Sequence, residues 1–267
     1  MISDFCTQIF KMLIESFQNE KIKNLNRLIT DNRFRKKSGV FVVEGQQENE
    51  RAIAFGYEAE EFFVCESIFG INHPEGKKHF VTEKIYEKLA YRGSSEGIIG
   101  VYKTKISNLK DYNPKENASI IIVESVEKPG NLGAILRSCE AFGVDALIVT
   151  DPKVDFFNPN VIRSSVGCFF GMNIFQSSNQ ETLDFLQRNK FNIFTTFMDE
   201  SAKDLYKNNF TERAALLFGT ENSGLSNFWM NKGENILVPM AGTIDSLNLS
   251  NAVAISCYEI LRQKLIK

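Results

Sequence analysis

Histidine is almost absent from this 267-residue chain: His73 and His79 are the only two, and neither stands in a metal-ligand spacing. No metal and no histidine-based mechanism is therefore expected. Cysteine is sparse as well. Cys6, Cys65, Cys139, Cys168 and Cys257 are scattered without paired spacing, which speaks against a zinc cluster or disulfide framework and predicts a reducing, cytoplasmic setting. No apolar run approaches membrane-spanning length, and the N-terminus lacks a basic segment followed by a continuous apolar one, so neither a membrane span nor a secretory leader is expected. An excess of one charge is missing too: 31 basic side chains face 33 acidic ones, which argues against a nucleic-acid binder driven by overall charge. Internal repeats and low-complexity tracts are absent. The G-x-G-x-x-G spacing of dinucleotide loops is not met either, which weakens a nucleotide-dependent oxidoreductase.

What is present is an ordinary globular composition, 43% hydrophobic and 24% charged, on a chain comfortable for two domains. Charge does concentrate once. Between Glu20 and Lys37, seven basic residues (Lys21, Lys23, Arg27, Arg33, Arg35, Lys36 and Lys37) face two acids, a local charge of +5. A solvated helix face is the ordinary explanation of so short a run. The interleaved Asn24, Asn26 and Asn32 make phosphate contact the competing one, with Lys23, Arg27, Arg33, Arg35 and Lys36 as candidate RNA-binding residues.

Periodicity divides the chain. Residues 2–17 read as an amphipathic helix and 20–31 as a second one, followed by a strand at 39–43 and a helix at 46–55. Short strands are expected at 61–64, 79–81 and 100–104, with Thr82 capping a helix that runs to Leu89. These make a first domain, 1–104. The polar stretch 105–117 reads as a linker. The second domain, 118–267, opens on Ser119-Ile120-Ile121-Ile122-Val123, apolar on both faces as a buried parallel strand should be. A helix from about Leu132 to Phe142 follows, with Gly143 placed for a left-handed cap, and then a strand at 146–149. Further strands are expected at 192–196, 214–218 and 236–238, and helices near 179–189 and 202–208. The last helix is expected to bury Ala252, Val253, Ile255, Cys257, Ile260, Leu261 and Leu265. Such alternation predicts an α/β fold with a mostly parallel sheet covered on both faces.

Three strand-to-helix corners carry the chemistry. Pro129-Gly130-Asn131-Leu132-Gly133 leads to Arg137; Phe218-Gly219-Thr220-Glu221-Asn222-Ser223-Gly224 follows a buried strand; Gly242 to Asn251 opens the last helix and holds Ser246, Leu247, Asn248 and Ser250. Each has an ordinary explanation. Arg137 could be structural, Asn222 and Ser223 could cap a helix, and Ser246 or Asn248 could satisfy the free N–H groups of the last one. Glu221 is harder to dismiss, because an acid straight after a buried strand is costly unless it is paired or placed in a site. The segment Asn158 to Gly167, rich in amides and hydroxyls, could either line a cleft or stabilise a turn.

In order and residues these corners resemble the three motifs of the SpoU/TrmH family of RNA ribose methyltransferases. The matching residues are Asn131, Gly133 and Arg137; Gly219, Glu221 and Gly224; Pro239, Gly242, Ser246, Asn248 and Ser250, within a resemblance that covers about 118 to 264. The first domain looks like the small ribosomal-protein-like α/β module that many members use to hold RNA. The resemblance implies a trefoil-knotted C-terminal domain, S-adenosylmethionine as cofactor and a homodimer with its site at the subunit interface. It assigns cofactor contacts to Thr195, Thr196, Gly219, Val238 and Leu247, and catalytic roles to Asn131, Arg137, Glu221, Ser246 and Asn248. The implied reaction is methyl transfer to a ribose 2′-hydroxyl, with ribosomal RNA favoured over tRNA. A non-catalytic RNA-binding or ribosome-associated protein on the same fold is the alternative.

Overall fold

Short polar side chains set where the first elements begin. In the computed structural model, which describes residues 13–70, 73–90, 96–197, 199, 202–244 and 246–266, Asn19 accepts from the Lys21 amide and opens α1 (Glu20–Thr30). Asp31 accepts from the amides of Arg33 and Phe34 and opens α2 (Asn32–Ser38), which Gly39 ends in a left-handed turn. The remaining elements of this part are β1 (Leu13–Ile14), β2 (Val40–Glu44), α3 (Gln46–Ala54), β3 (Ala59–Val64), α4 (Glu66–Phe69), β4 (Lys78–Val81), α5 (Glu83–Leu89) and β5 (Ile98–Lys103). The expected opening helix is corrected where it can be followed. Leu13 and Ile14 pair with Phe80 and Val81 as a parallel strand, and the rest of that stretch lies outside the described residues. Thr82 stands at the start of α5, but its side chain makes no capping bond.

The chain separates into two compact units, Met1–Thr104 and Lys105–Lys267. In the first, the strands run in the order β1-β4-β3-β5-β2, with β5 antiparallel to both of its neighbours. Ile22, Leu25 and Leu28 of α1 pack on Val40, Val42, Phe63 and Ile85 as one core.

The second unit contains β6 (Ser119–Glu124), α6 (Pro129–Ala141), β7 (Ala146–Thr150), α7 (Pro159–Ser164), α8 (Cys168–Gly171), β8 (Ile174–Ser177), α9 (Asn179–Arg188), β9 (Asn192–Thr195), β10 (Lys203–Asp204), β11 (Ala214–Phe218), β12 (Glu234–Leu237) and α10 (Leu249–Leu265). Its strands stand in the order β10-β12-β9-β11-β6-β7-β8, and every pairing among them is parallel. β6, β7 and β11 are buried along their whole length, as their unbroken apolar runs require. After β6 the chain turns through α6 towards β7, whereas after β11 it goes the other way, to β12 beyond β9. The carboxyl ends of β6 and β11 therefore border a topological switch point, where open parallel sheets place ligands.

Several expectations change here. Residues 105–117 are no free linker: Leu109 belongs to the second unit's core, and the Tyr112 ring packs on Phe175 and Phe185. The expected helix at 202–208 is the two-residue β10 followed by a single 3₁₀ turn, Leu205–Lys207. The strand β8 and the short helices α7 and α8 had no periodic signal of their own, being only four to six residues long. Asn158 caps α7, and Ser164 and Ser165 bond back to its carbonyls, so that segment stabilises a turn. Gly143 takes the left-handed conformation expected of it. In α10, Val253, Cys257 and Ile260 are buried as expected, but Ile255 and Leu265 face solvent.

Candidate active site

The corner after β11 closes on itself. Thr220 and Gly224 exchange both backbone hydrogen bonds at 3.1 Å, and the Ser223 amide donates to the Thr220 hydroxyl at 3.0 Å. So tight a hairpin explains Gly219: a Cβ there would lie 1.9 Å from the carbonyl carbon of Gly224. Room for a ligand is not the first requirement at this position, since the chain itself already fills it. Gly133 has a similar origin, because a Cβ on it would lie 1.9 Å from the Ser164 hydroxyl where α6 meets α7.

Glu221 projects from the hairpin into the meeting point of the other two corners. Its carboxylate accepts from Lys128 Nζ at 2.5 Å, Asn131 Nδ2 at 3.0 Å and Asn248 Nδ2 at 2.6 Å. Asn248 Nδ2 also reaches Asn131 Oδ1 at 3.3 Å. One residue from each motif thus meets the other two. With 26% of its side chain still exposed, Glu221 does not incur the burial cost that drew attention to it. Lys128 first, then Asn131 and the amide of Leu249, hold its carboxyl below the ordinary 4.5. It stands as an anion beside the N-terminal turns of both α6 and α10, where helix dipoles favour negative charge.

Asn131 lies inside the first turn of α6 and not in a loop before it; α6 starts at Pro129, whose missing N–H costs nothing at that position. Asn248 serves two purposes at once. Its Oδ1 caps α10 through the Ser250 amide at 3.0 Å, which leaves Nδ2 for Glu221. Capping and cluster were not alternatives, because the two ends of one amide do different things.

A cavity of about 420 Å³ opens on one side of the hairpin, walled by Phe218, Gly219, Ile236, Val238, Leu247 and Leu249. Thr196 and Ser246 also line it. Thr195 does not. It is 1% exposed and donates to Asn235 Oδ1 at 2.6 Å, so it joins β9 to β12 and is corrected to a structural residue. Arg137 is not brought into the cluster of its own chain: it is exposed, lines neither this cavity nor a second one on the other face of the hairpin, and stands about 9 Å beyond Asn131 along the α6 axis.

On the first unit, Lys23 pairs with Glu20 at 2.8 Å, Arg27 stacks over the Phe34 ring at 3.9 Å, and Arg33 and Lys36 are exposed. Arg35 is corrected to a structural residue. At 3% exposure its guanidinium donates to the carbonyls of Leu28 at 2.7 Å and Ile29 at 3.1 Å, satisfying the open end of α1. Arg35→Leu should therefore lower the unfolding free energy by about 2–3 kcal/mol in urea titrations and leave turnover of the folded protein unchanged. An equal loss from Lys36→Leu would contradict that account.

Two residues that matter here gave no motif signal. Lys128 grips Glu221, and Glu124, 4% exposed at the end of β6, accepts from the Ser226 amide at 2.7 Å and hydroxyl at 2.6 Å, tying the hairpin to the sheet. An acid ending the all-apolar run of β6 was the available clue. Among the described residues no group of histidines, cysteines or carboxylates could hold a metal ion.

The sequence model of the SpoU rRNA Methylase family matches residues 118–258, and that of the MRM3-like substrate binding domain matches residues 19–100. A 23S rRNA (uridine(2479)-2′-O)-methyltransferase of Streptomyces viridochromogenes is 30% identical over 63% of this chain, a match that spans only 61% of that relative. The 23S rRNA (guanosine(2553)-2′-O)-methyltransferase RlmP of Bacillus subtilis is 25% identical, over 92% of this chain and 98% of its own. Among solved structures, an RNA 2′-O ribose methyltransferase superimposes with a TM-score of 0.83 at 33% identity, covering 95% of this chain and all of the other.

Proposed function

Since this chain belongs to the SpoU rRNA methylase family, we propose that it methylates a ribose 2′-hydroxyl of RNA, with S-adenosylmethionine as the methyl donor. The observation that carries the reading is the Asn131–Glu221–Asn248 cluster, which joins all three motif corners at the edge of the 420 Å³ cavity. The cavity suits that donor. Its volume lies in the range of small-molecule sites, Phe218, Ile236 and Leu247 offer apolar walls to a purine, and the chain just beyond β11 and β12, at Gly219 and Val238, offers backbone polar groups. When bound, the donor supplies an electrophilic methyl group on a sulfonium.

The chain's own part is orientation and charge. Glu221 stays ionised below the usual carboxylate range, which makes it a poor proton acceptor and a good fixed anchor for Asn131 and Asn248. Holding the acceptor in line with the methyl group supplies much of the acceleration. Charge developing on the 2′-oxygen needs a cation. A guanidinium remains protonated under nearly all conditions, so Arg137 serves as an electrostatic stabiliser and not as a base. Arg137 lines neither of the two cavities beside the hairpin of its own chain, and in this reading it reaches the acceptor from a twofold partner. Ile255, Tyr258 and Leu265 support such a homodimer: they follow one another at helical spacing on α10 and are 42%, 55% and 74% exposed. The family's knot belongs to the same reading, with α10 packed back on α6.

Ribosomal RNA is the substrate this reading favours, with the first unit as its holder through Lys23, Arg27, Arg33 and Lys36. Incubating the full chain with methyl-tritiated S-adenosylmethionine and deproteinised ribosomal RNA should label the RNA. Alkaline hydrolysis should then release the label in an alkali-resistant dinucleotide, and Asn131→Ala should remove at least about 100-fold of the rate. Label recovered on a base, or none at all, would overturn the assignment.

A further inference from the structure

A second cavity, of about 460 Å³, lies against the other face of the hairpin. Residues 220–225 and Leu249 border both cavities, so Glu221 stands in a partition between them. The two differ in chemistry. Ser246, Leu247 and the apolar walls belong only to the first, whereas Glu124, Ser125, Asn131, Asp151, Lys153 and Asn179 belong only to the second. The second also occupies the switch point, bounded by the carboxyl ends of β6 and β11.

We propose that this second cavity is the subsite for the base of the acceptor nucleotide. The inference rests on the methyl-transfer reading above and deepens it. In-line displacement needs nothing between the acceptor oxygen and the methyl group, so the base sits in the second cavity while its ribose reaches over the rim that both cavities share at Glu221 and Leu249. A base turned out of its stack is read through hydrogen bonds to its edge, which a polar pocket supplies and an apolar one does not.

Asn179 is suited to that reading. Glu124 holds its Nδ2 at 2.5 Å, and its amide oxygen is buried with no hydrogen-bond partner among the described residues. Rotation of the side chain, which gives up the Glu124 bond, would bring that oxygen to a base N–H. Ser125 and Asp151 also border the cavity with φ of +52° and +45°, a conformation that side-chain-bearing residues seldom adopt, and the Ser125 hydroxyl donates to Asp151 at 3.2 Å. At the rim, Lys128 and Lys153 pair with Glu221 at 2.5 Å and Asp151 at 2.8 Å, while remaining 66% and 52% exposed. Exposed pairs of this kind are weak, so either lysine can turn to a phosphate of the RNA backbone at little cost.

The test uses the full chain with S-adenosylhomocysteine bound and the four nucleoside 5′-monophosphates as probes, in wild type, Asn179→Leu and Lys153→Glu. At least one monophosphate should bind in the millimolar range, about tenfold more weakly in each variant, while affinity for S-adenosylmethionine stays within about twofold. In the tritium assay, both variants should raise KM for ribosomal RNA more than they lower kcat. Unchanged S-adenosylmethionine affinity reports that the variants fold, and Lys153→Glu, on the surface, keeps the test open where Asn179→Leu fails to fold. No nucleotide binding to wild type, or equal binding to all three proteins, overturns the subsite. If wild type binds a nucleotide through these residues yet labels no RNA, the methyl-transfer reading fails and the nucleotide site stands.

Discussion

Arg137→Ala and Glu221→Ala subunits, each inactive alone, are expected to recover about a quarter of wild-type methyl transfer when mixed and reassembled. The figure follows from twofold symmetry. Random pairing makes half of the dimers mixed, and each mixed dimer holds one site with Glu221 from one chain and Arg137 from the other. The prediction rests on the proposed homodimer, and the single chain agrees with it: Glu221 sits at the partition of its own chain's cavities, whereas Arg137 is exposed and lines neither. Alone, Arg137→Ala should cut kcat by at least about 100-fold, the usual scale for removing one stabiliser of developing charge. Affinity for S-adenosylmethionine should hardly change, because Arg137 is no part of that cavity wall. Co-expression under two tags and purification of the mixed dimer would sharpen the measurement to about half of wild-type activity. A mixed dimer as inactive as its parents would put Arg137 and Glu221 to work within one chain.

Strand and helix alternation was legible because β6, β7 and β11 are buried on both faces and read as unbroken apolar runs. α7, α8 and β8 were not, since four to six residues hold too few turns or alternations to show a period. Asn131, Glu221 and Asn248 were legible as separate oddities, and only the fold shows them within hydrogen-bond reach of each other across 90 and 27 residues of chain. Arg35 misled for a related reason. Its sequence context is basic and polar, and nothing local reveals that α1 ends on carbonyls needing its guanidinium. Ile255 and Leu265 were read as core because helical spacing reports an apolar face without saying what covers it. Lys128 carries no motif weight, yet it is the first cause of the lowered Glu221 carboxyl.

Gly219→Ala should abolish S-adenosylmethionine binding, by a route that begins in the protein and not at the ligand. The added Cβ would lie 1.9 Å from the Gly224 carbonyl carbon and 2.1 Å from both the Gly224 oxygen and the Leu225 nitrogen. All three are backbone atoms, so no side chain can swing aside. Either β11 shifts in a sheet buried on both faces, or the two reciprocal bonds between Thr220 and Gly224 break. The second is the cheaper, since it gives up two hydrogen bonds of about 1 kcal/mol each at a partly wet site. Opening the hairpin carries Glu221 away from Asn131 and Asn248 and removes the wall shared by both cavities. Calorimetry should then show at least about a 100-fold loss of affinity, equivalent to about 2.7 kcal/mol. Gly242→Ala separates protein from ligand effects. No heavy atom lies within 4 Å of its Cβ position, so the melting temperature should not move, and any affinity it loses reports contact with the cofactor itself. Wild-type affinity in Gly219→Ala would mean that the hairpin can re-form around a methyl group, and the self-closed corner would no longer explain why glycine stands there.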